Sequence, residues 1–180
     1  MSKKFKNIDS FEPQPYSFKD LQNNLGLNTV SQARPHNVGL STADCTGDFE
    51  IVHGNTTASH LAGSRTSYGP KQKILIELNN HWHYKTPEFA KMNIEGYETQ
   101  LIPSLGERLL EMDLIVESHD STSSDSIYQT ARKIDIKLYS HKIGLDQVKS
   151  RKDMPESNKE GYIMLSAKNR NNWLEFWNGI

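Results

Sequence analysis

Two short aliphatic runs limit the fold of this chain more than any other feature of its sequence. The stretch QKILIELNN follows a Gly-Pro turn and places Ile74, Ile76 and Leu78 on one face of a strand. The stretch DLIVESH is a continuous apolar run, typical of a buried strand. Between them, the stretch after Pro87 predicts two helices, and the second begins near Pro103 because proline suits a first helical turn. Leu105 and Leu109 share a face of that second helix. This alternation predicts an α/β fold, with a mixed central sheet flanked by helices.

Size and composition predict a single domain. The chain has 180 residues, of which 35% are hydrophobic, enough for one modest core. The segments YSFKDLQNNLGL and GLDQVKSRKD indicate short helices, near the N-terminus and late in the chain. SIYQTARKIDIKLYSH indicates one long or two short strands, and GYIMLSAK a further strand. The region between Gly39 and Pro70 is rich in Ser, Thr, Gly and His and predicts long loops, apart from a strand at DFEIVH.

Charge and cysteine content set expectations about partners and compartment. Lys and Arg number 21 and Asp and Glu number 22, so no overall basic field points to a nucleic acid, and such binding would need a local patch. The single cysteine, Cys45, favours a reducing compartment. The sequence shows neither a signal peptide nor an apolar run of membrane-spanning length. We therefore expect a cytoplasmic protein with no membrane partner.

The run RKIDIKLYS places an acid and an amine side by side. On a strand, Asp135 and Lys137 would project from the same face about 6.6 to 6.8 Å apart. A carboxylate there could bind Mg²⁺ while the amine meets a phosphate or its attacking water. A solvated strand edge, in which charged residues simply alternate with aliphatic ones, explains the same pattern.

The order of elements around this pair resembles the core of the PD-(D/E)xK nucleases, a superfamily that includes restriction endonucleases. The resemblance covers about residues 101–168. It implies that Asp125, at the start of a strand formed by SIYQTA, is the first acid. Asp135 and Lys137, on the next strand, would be the second acid and the motif lysine. It also implies that Glu107 is the acid on the preceding helix, although Asp113 or Asp120 competes with Asp125 for its role.

This resemblance implies a restriction-endonuclease-like core and a metal-dependent endonuclease that hydrolyses DNA. Asp125 and Asp135 would bind Mg²⁺, or Mn²⁺, and Lys137 and Glu107 would assist. Residues 1–35 would form an arm and short helix, 36–100 a region recognising DNA, and 101–180 the catalytic core. A homodimer formed through the aromatic C-terminal segment, with Trp173 and Trp177, is also expected.

Two alternatives stay open. His81 and His83, followed by Glu88 and Gly96, are similar to the first metal motif of the cupins, which implies a β-rich barrel binding a metal through these histidines. The histidines could equally line a wet loop while Trp82 packs. The other alternative is a non-catalytic protein, such as a phage-type accessory factor, whose polar loops meet a partner.

Overall fold

The computed structural model describes residues 5–64 and 69–166, and the contacts among them define two compact units. Within the described residues, the first unit contains 5–62 and 69–83, and the second contains 63–64 and 84–166. Helices and mixed sheets make up both units, which confirms the predicted α/β class. The single-domain organisation and its internal boundaries stay predictions.

In its described part, the first unit holds one α-helix and two sheets. Its helix begins at Pro15, with the Gln14 side chain accepting a hydrogen bond from the Ser17 N–H. A two-stranded parallel sheet pairs β1 with β2, and a four-stranded sheet has the order β3-β6-β4-β5. The elements are α1 (Pro15–Leu27), β1 (Ile8–Phe11), β2 (Ala33–His36), β3 (Gly39–Ser41), β4 (Cys45–Val52), β5 (His60–Leu61) and β6 (Lys71–Asn80).

The larger sheet of this unit follows the apolar alternation seen in the sequence. Strand β4 is antiparallel to β6, and the register sets Phe49 opposite Ile74. Side chains on this face form a small core, which buries Ile51, Ile76 and Leu78. The predicted strands at DFEIVH and QKILIELNN and the predicted N-terminal helix are therefore confirmed.

The second unit is built on a five-stranded mixed sheet with the order β10-β9-β11-β8-β7. Strand β7 is parallel to β8, and β11 is antiparallel to both β8 and β9, so β7, β8 and β9 all point the same way. The elements are β7 (Phe89–Met92), α2 (Glu98–Leu105), β8 (Asp113–Glu117), α3 (Ser121–Lys133), β9 (Lys137–Ser140), β10 (Asp146–Gln147) and β11 (Tyr162–Ser166).

The main core of the second unit lies on one face of its sheet. Ile102 from α2 and Ile127 from α3 are fully buried there against Leu114 and Leu165 of the sheet. Ile115, Tyr139 and Met164 form a smaller buried cluster of their own. The predicted strand at DLIVESH is confirmed, because its aliphatic residues are buried in a central strand.

Several local predictions in this unit are wrong. The stretch SIYQTARK, predicted as strand, lies in α3, where Asp120 caps the N-terminus and basic residues occupy the last turn. Pro103, predicted to begin a second helix, lies inside α2, and a 3₁₀ helix follows over Gly106–Glu111. The segment after Pro87, predicted as helix, contains strand β7. The stretch GLDQVKSRKD, also predicted as helix, contains β10 and a 3₁₀ turn.

No helix within residues 5–64 and 69–166 is both long enough and apolar enough to cross a bilayer. The predicted dimer contact through Trp173 and Trp177 lies outside the described residues.

Candidate active site at the carboxyl ends of two parallel strands

The carboxyl ends of β7 and β8 meet at one edge of the sheet in the second unit, because these strands are neighbours and parallel. The chain leaves β7 through residues 93–97 and leaves β8 through residues 118–120. In open α/β sheets, ligands bind in the crevice outside the carboxyl ends of the strands. Three ionisable side chains gather at this edge: Glu95, Glu98 and His119.

Glu98 is the buried anchor of the group. Its side chain is fully buried in the first turn of α2. Its two carboxylate oxygens accept hydrogen bonds from the backbone N–H groups of Ile94, at 2.9 Å, and Gly96, at 2.8 Å. These bonds hold the loop after β7 against the start of the helix, where an acidic side chain also complements the helix dipole.

His119 lies between the two carboxylates. Its Nε2 is 3.1 Å from Glu95 Oε1 and its Nδ1 is 3.5 Å from Glu98 Oε1, with only 3% of the histidine side chain exposed. Both contacts are ion pairs when the imidazole ring is protonated. Burial lowers the pKa of His119, but the Glu95 and Glu98 carboxylates outweigh it and raise the pKa to about 9.

Glu95 sits in a backbone conformation that few residues with a Cβ adopt. Its φ is +54°, in the left-handed region, and the next residue, Gly96, has a φ of +100°. The Ser64 hydroxyl donates a hydrogen bond to the Glu95 carbonyl oxygen at 3.1 Å. Backbone strain of this kind costs about 1 to 3 kcal/mol and is concentrated at functional sites. The loop after β7 is therefore a candidate for part of a functional site.

The segment that carries His119 is fixed on its other side by α3. The Asp120 carboxylate caps that helix through the Ser123 N–H at 2.7 Å. The hydroxyls of Ser118 and Ser124 are 2.7 Å apart, and Ser124 also donates to the Pro155 carbonyl oxygen. Because Ser118 and Ser124 are fully buried, this network holds the neighbouring histidine in one place.

Glu95 and Glu98 are functional candidates that the sequence analysis did not name, and His119 was not singled out. The signal was present in NIEGYE, where two glutamates three residues apart flank a glycine directly after a strand. The strand itself was not predicted, so the glutamates were not recognised as lying at a sheet edge.

The structure does not bring Asp125 and Asp135 together. Asp125 lies in α3 and forms ion pairs and hydrogen bonds with Arg151, which also binds Glu156. Asp135 lies beyond the other end of that helix, and eight residues of helix alone span about 12 Å. The expectation that the two carboxylates project from adjoining strands toward one cation is therefore wrong. Glu107 is an exposed residue in the 3₁₀ helix after α2.

Asp135 and Lys137 lie at the opposite edge of the sheet from the candidate site. Lys137 is the first residue of β9, which runs parallel to β7 and β8, and Asp135 precedes it with a φ of +55°. Both line an open, polar pocket of about 380 Å³, together with Arg132 and Lys149. Asp135 thus lies in the turn before β9 and Lys137 begins that strand. A catalytic role for the pair stays a prediction.

His81 and His83 lie in a 3₁₀ turn after β6 rather than on a strand. His81 is buried, whereas His83 is half exposed and its Nε2 lies 2.6 Å from an Asp44 carboxylate oxygen. Alternate residues of a strand would share a face, but this turn separates the two rings. The strand geometry expected of a cupin motif is therefore absent here.

Among residues 5–64 and 69–166, no three or more His, Cys, Asp and Glu side chains are grouped to hold a metal ion. The prediction of Mg²⁺ or Mn²⁺ bound by Asp125 and Asp135 gains no support from this part of the chain. DNA binding and a homodimer likewise stay predictions.

Comparison with known proteins gives one structural likeness. No family model matches the chain, and no curated protein matches its sequence. The fold is similar to the crystal structure of Methyltransferase FkbM from Methylobacillus flagellatus KT, with a TM-score of 0.53 and 16% sequence identity. The match covers 90% of this chain and 37% of that protein, so this chain spans little more than a third of its neighbour's length.

This likeness corrects the central prediction from the sequence. The chain has a fold seen in a methyltransferase, and the resemblance to the PD-(D/E)xK nucleases is wrong. The predicted hydrolysis of DNA is therefore also wrong. The nuclease motif required Asp125 on a strand, whereas this residue lies in helix α3. The cupin and accessory-protein alternatives gain no support either.

Proposed function

We propose that this chain takes part in methyl transfer, with the carboxyl ends of β7 and β8 lining the reaction site. The observation that carries the proposal is the structural match to a methyltransferase over 90% of the chain, with a TM-score of 0.53. The chain spans 37% of that protein, so the methyl-transfer activity of the whole neighbour is carried to this chain only as a proposal.

The charge of the candidate site supports this function. Glu95 and Glu98 are two carboxylates, and His119 carries one positive charge at neutral pH because its pKa is about 9. The common biological methyl donor, S-adenosylmethionine, supplies the methyl group on a positively charged sulfur, to which carboxylates held in a fixed and largely buried position are complementary.

The rigidity of the cluster supports it too. Transfer of a methyl group requires donor and acceptor to be held in line, and precise placement contributes much of such a rate enhancement. Glu98 holds the loop after β7 through two backbone hydrogen bonds, and the buried Ser118 and Ser124 hydroxyls fix the loop after β8. In the proposal, these contacts keep Glu95 and His119 in place while the reactants bind.

A labelling experiment tests the proposal. The full chain is incubated with S-adenosylmethionine carrying a radioactive methyl group and a protein-free extract of small molecules. We expect label in a new product, and we expect Glu95→Ala to lower its yield at least tenfold because the charge facing the donor is lost. His141→Gln, which changes an exposed histidine away from the cluster, is the matched control and keeps the yield. If the unmodified chain gives no labelled product, that result contradicts the proposal.

We also propose a cytoplasmic location, for which the single cysteine is the support. Separation of cell compartments followed by antibody detection of the chain tests it, and recovery of the chain with secreted proteins contradicts it.

A further inference from the structure

We propose that the pocket at the carboxyl end of α3 binds a phosphoryl group, carried by a small phosphate monoester or by free phosphate. The pocket has a volume of about 380 Å³, which is enough for a small organic molecule. It lies at the opposite edge of the sheet from Glu95 and His119, so the inference is independent of methyl transfer.

Three segments of the second unit form the walls of this pocket. The last turns of α3 contribute Tyr128 and Arg132. The turn into β9 contributes Asp135, and the first residue of that strand is Lys137. Lys149 lies on the third segment, just after β10. The fold therefore brings charged side chains from separate elements to one cavity.

Cationic side chains outnumber acidic ones three to one in the lining of the pocket. The cations are Arg132, Lys137 and Lys149, and the acid is Asp135. In the part of the chain that the structure describes, no carboxylate lies within ion-pair distance of the Arg132 or Lys137 side chain. Lys149 is close to an acid, because its backbone N–H donates to an Asp153 carboxylate oxygen at 2.9 Å. Like charges around one cavity repel each other, and an anion bound between Arg132 and Lys137 would relieve that repulsion.

Backbone hydrogen bonds fix the segments from which these side chains extend. The Ile136 N–H donates to the Ala131 carbonyl oxygen at 3.0 Å, which closes the turn between α3 and β9. The Val148 N–H donates to the Leu138 carbonyl oxygen at 2.9 Å, which keeps the residues after β10 beside β9. Binding would therefore order side chains but not the backbone, and this lowers its entropic cost.

The chemistry of the lining favours a ligand with one phosphoryl group. The Arg132 guanidinium presents a planar fork of N–H donors that matches phosphate oxygens, and the Lys137 ammonium adds a compact positive charge. The Asp135 carboxylate lines the same space and would repel a second anionic group. Tyr128 and Leu138 give the wall an apolar part for the body of the ligand. A phosphate monoester therefore fits this lining better than a polyphosphate.

Magnetic resonance titration of the isotopically labelled full chain tests the inference without a methyl donor. Phenyl phosphate, inorganic phosphate and phenol are added separately while the backbone amide signals are followed. We expect the phosphates to shift the amides of residues 132–137 and 147–149 in a saturable way, and phenol to leave them unchanged. The phosphate that binds more tightly identifies the source of the phosphoryl group. If neither phosphate shifts these amides, or if phenol shifts them equally, the inference is overturned.

Charge substitutions of opposite sign then assign the binding to this pocket. Lys137→Gln should weaken phenyl phosphate about tenfold, because a charge-assisted hydrogen bond is lost. Lys133→Gln, which changes an exposed lysine of α3 outside the lining, is the matched control and should keep the affinity. Asp135→Asn should tighten binding by removing the repulsion, and asparagine tolerates the left-handed conformation of this residue.

A second cation keeps the test decisive if Lys137→Gln fails to fold. Arg132 is exposed in the last turn of α3, and Arg132→Gln should also weaken phenyl phosphate about tenfold. An affinity that is the same in the unmodified chain and in the folded Lys137→Gln or Arg132→Gln variant overturns the inference.

Discussion

His119 Nε2 lies 3.1 Å from Glu95 Oε1, and this pairing joins the loop after β8 to the loop after β7. The histidine is 3% exposed, so its charge is stabilised by carboxylates rather than by water. Burial alone would lower the pKa of His119, but the two glutamates outweigh it and raise the pKa from its ordinary value of 6.5 to about 9. The fold is therefore stabilised by the protonated form of this residue.

This raised pKa predicts that stability falls in mildly alkaline solution. The stabilisation from His119 is fully present below the unfolded pKa of 6.5 and is lost as the pH rises through about 9. A shift of this size corresponds to about 3 kcal/mol of unfolding free energy. Urea denaturation between about pH 6 and pH 10 measures it.

His119→Gln should abolish this pH dependence, and His141→Gln should retain it. The pKa values of Tyr139 and Tyr162 are raised above 10.0 by burial, so these residues titrate above the window in question. An unfolding free energy that stays constant up to about pH 10 in the unmodified chain would show that His119 is not held as a cation.

Loss of the Glu98 carboxylate should be far more costly than loss of an exposed one. Glu98→Ala removes the acceptor of two backbone N–H groups and leaves His119 with one fewer counter-charge. We expect a loss of about 3 to 5 kcal/mol in unfolding free energy, as for other broken buried ion pairs. Chemical denaturation measures the loss, with Glu107→Ala as the exposed control. A cost below about 1 kcal/mol contradicts the anchoring role.

A side chain at Gly47 should crowd two leucine side chains and lower stability. A Cβ on this residue of β4 would lie 2.8 Å from a methyl carbon of Leu78 and 3.0 Å from one of Leu61, in the core of the first unit. Gly47→Ala should therefore lower the unfolding free energy by about 1 to 3 kcal/mol.

Gly26→Ala is the matched control for that substitution. Gly26 lies in α1 with no other group within 4 Å of an added Cβ, and alanine there should stabilise the fold by about 0.5 to 1 kcal/mol. Thermal unfolding of both variants gives the comparison, and equal melting temperatures contradict the packing described for β4.

Asp125→Asn should have only a small effect on stability. Asp125 is mostly exposed and pairs with Arg151, which keeps a second carboxylate partner in Glu156 and a bond to the Ser121 carbonyl oxygen. Exposed ion pairs contribute about 0.2 to 1 kcal/mol, and we expect a loss within that range. Denaturation of Asp125→Asn and Arg151→Ala measures it. A loss of several kcal/mol for Asp125→Asn would indicate a role beyond this surface pair.

The strands with apolar runs could be predicted from the sequence. Burial on both faces requires continuous aliphatic residues, and DLIVE in β8 and YIML in β11 satisfy that requirement directly. Helix α1 could be predicted because its proline and polar neighbours mark its start.

The misassigned elements are those in which tertiary packing overrides local preference. Helix α3 buries Ser123, Ser124 and Thr130 beside Ile127, so its inner face is not apolar and its helical period is hidden. Strand β7 has only four residues, and Ala90 and Met92 pack against a core that the rest of the chain supplies. Because β7 was not predicted, Glu95 could not be recognised as lying just beyond the carboxyl end of a strand.

The insertion of β11 between β8 and β9 has a consequence for how the second unit assembles during synthesis. Each of these strands lacks its central neighbour until Tyr162–Ser166 has left the ribosome, although the helix between them can already form. Until then, Leu114 and Leu138 belong to strands with open edges, and such edges invite pairing with other chains. A chain truncated before residue 162 should therefore be protease-sensitive and aggregation-prone, whereas the full chain should not.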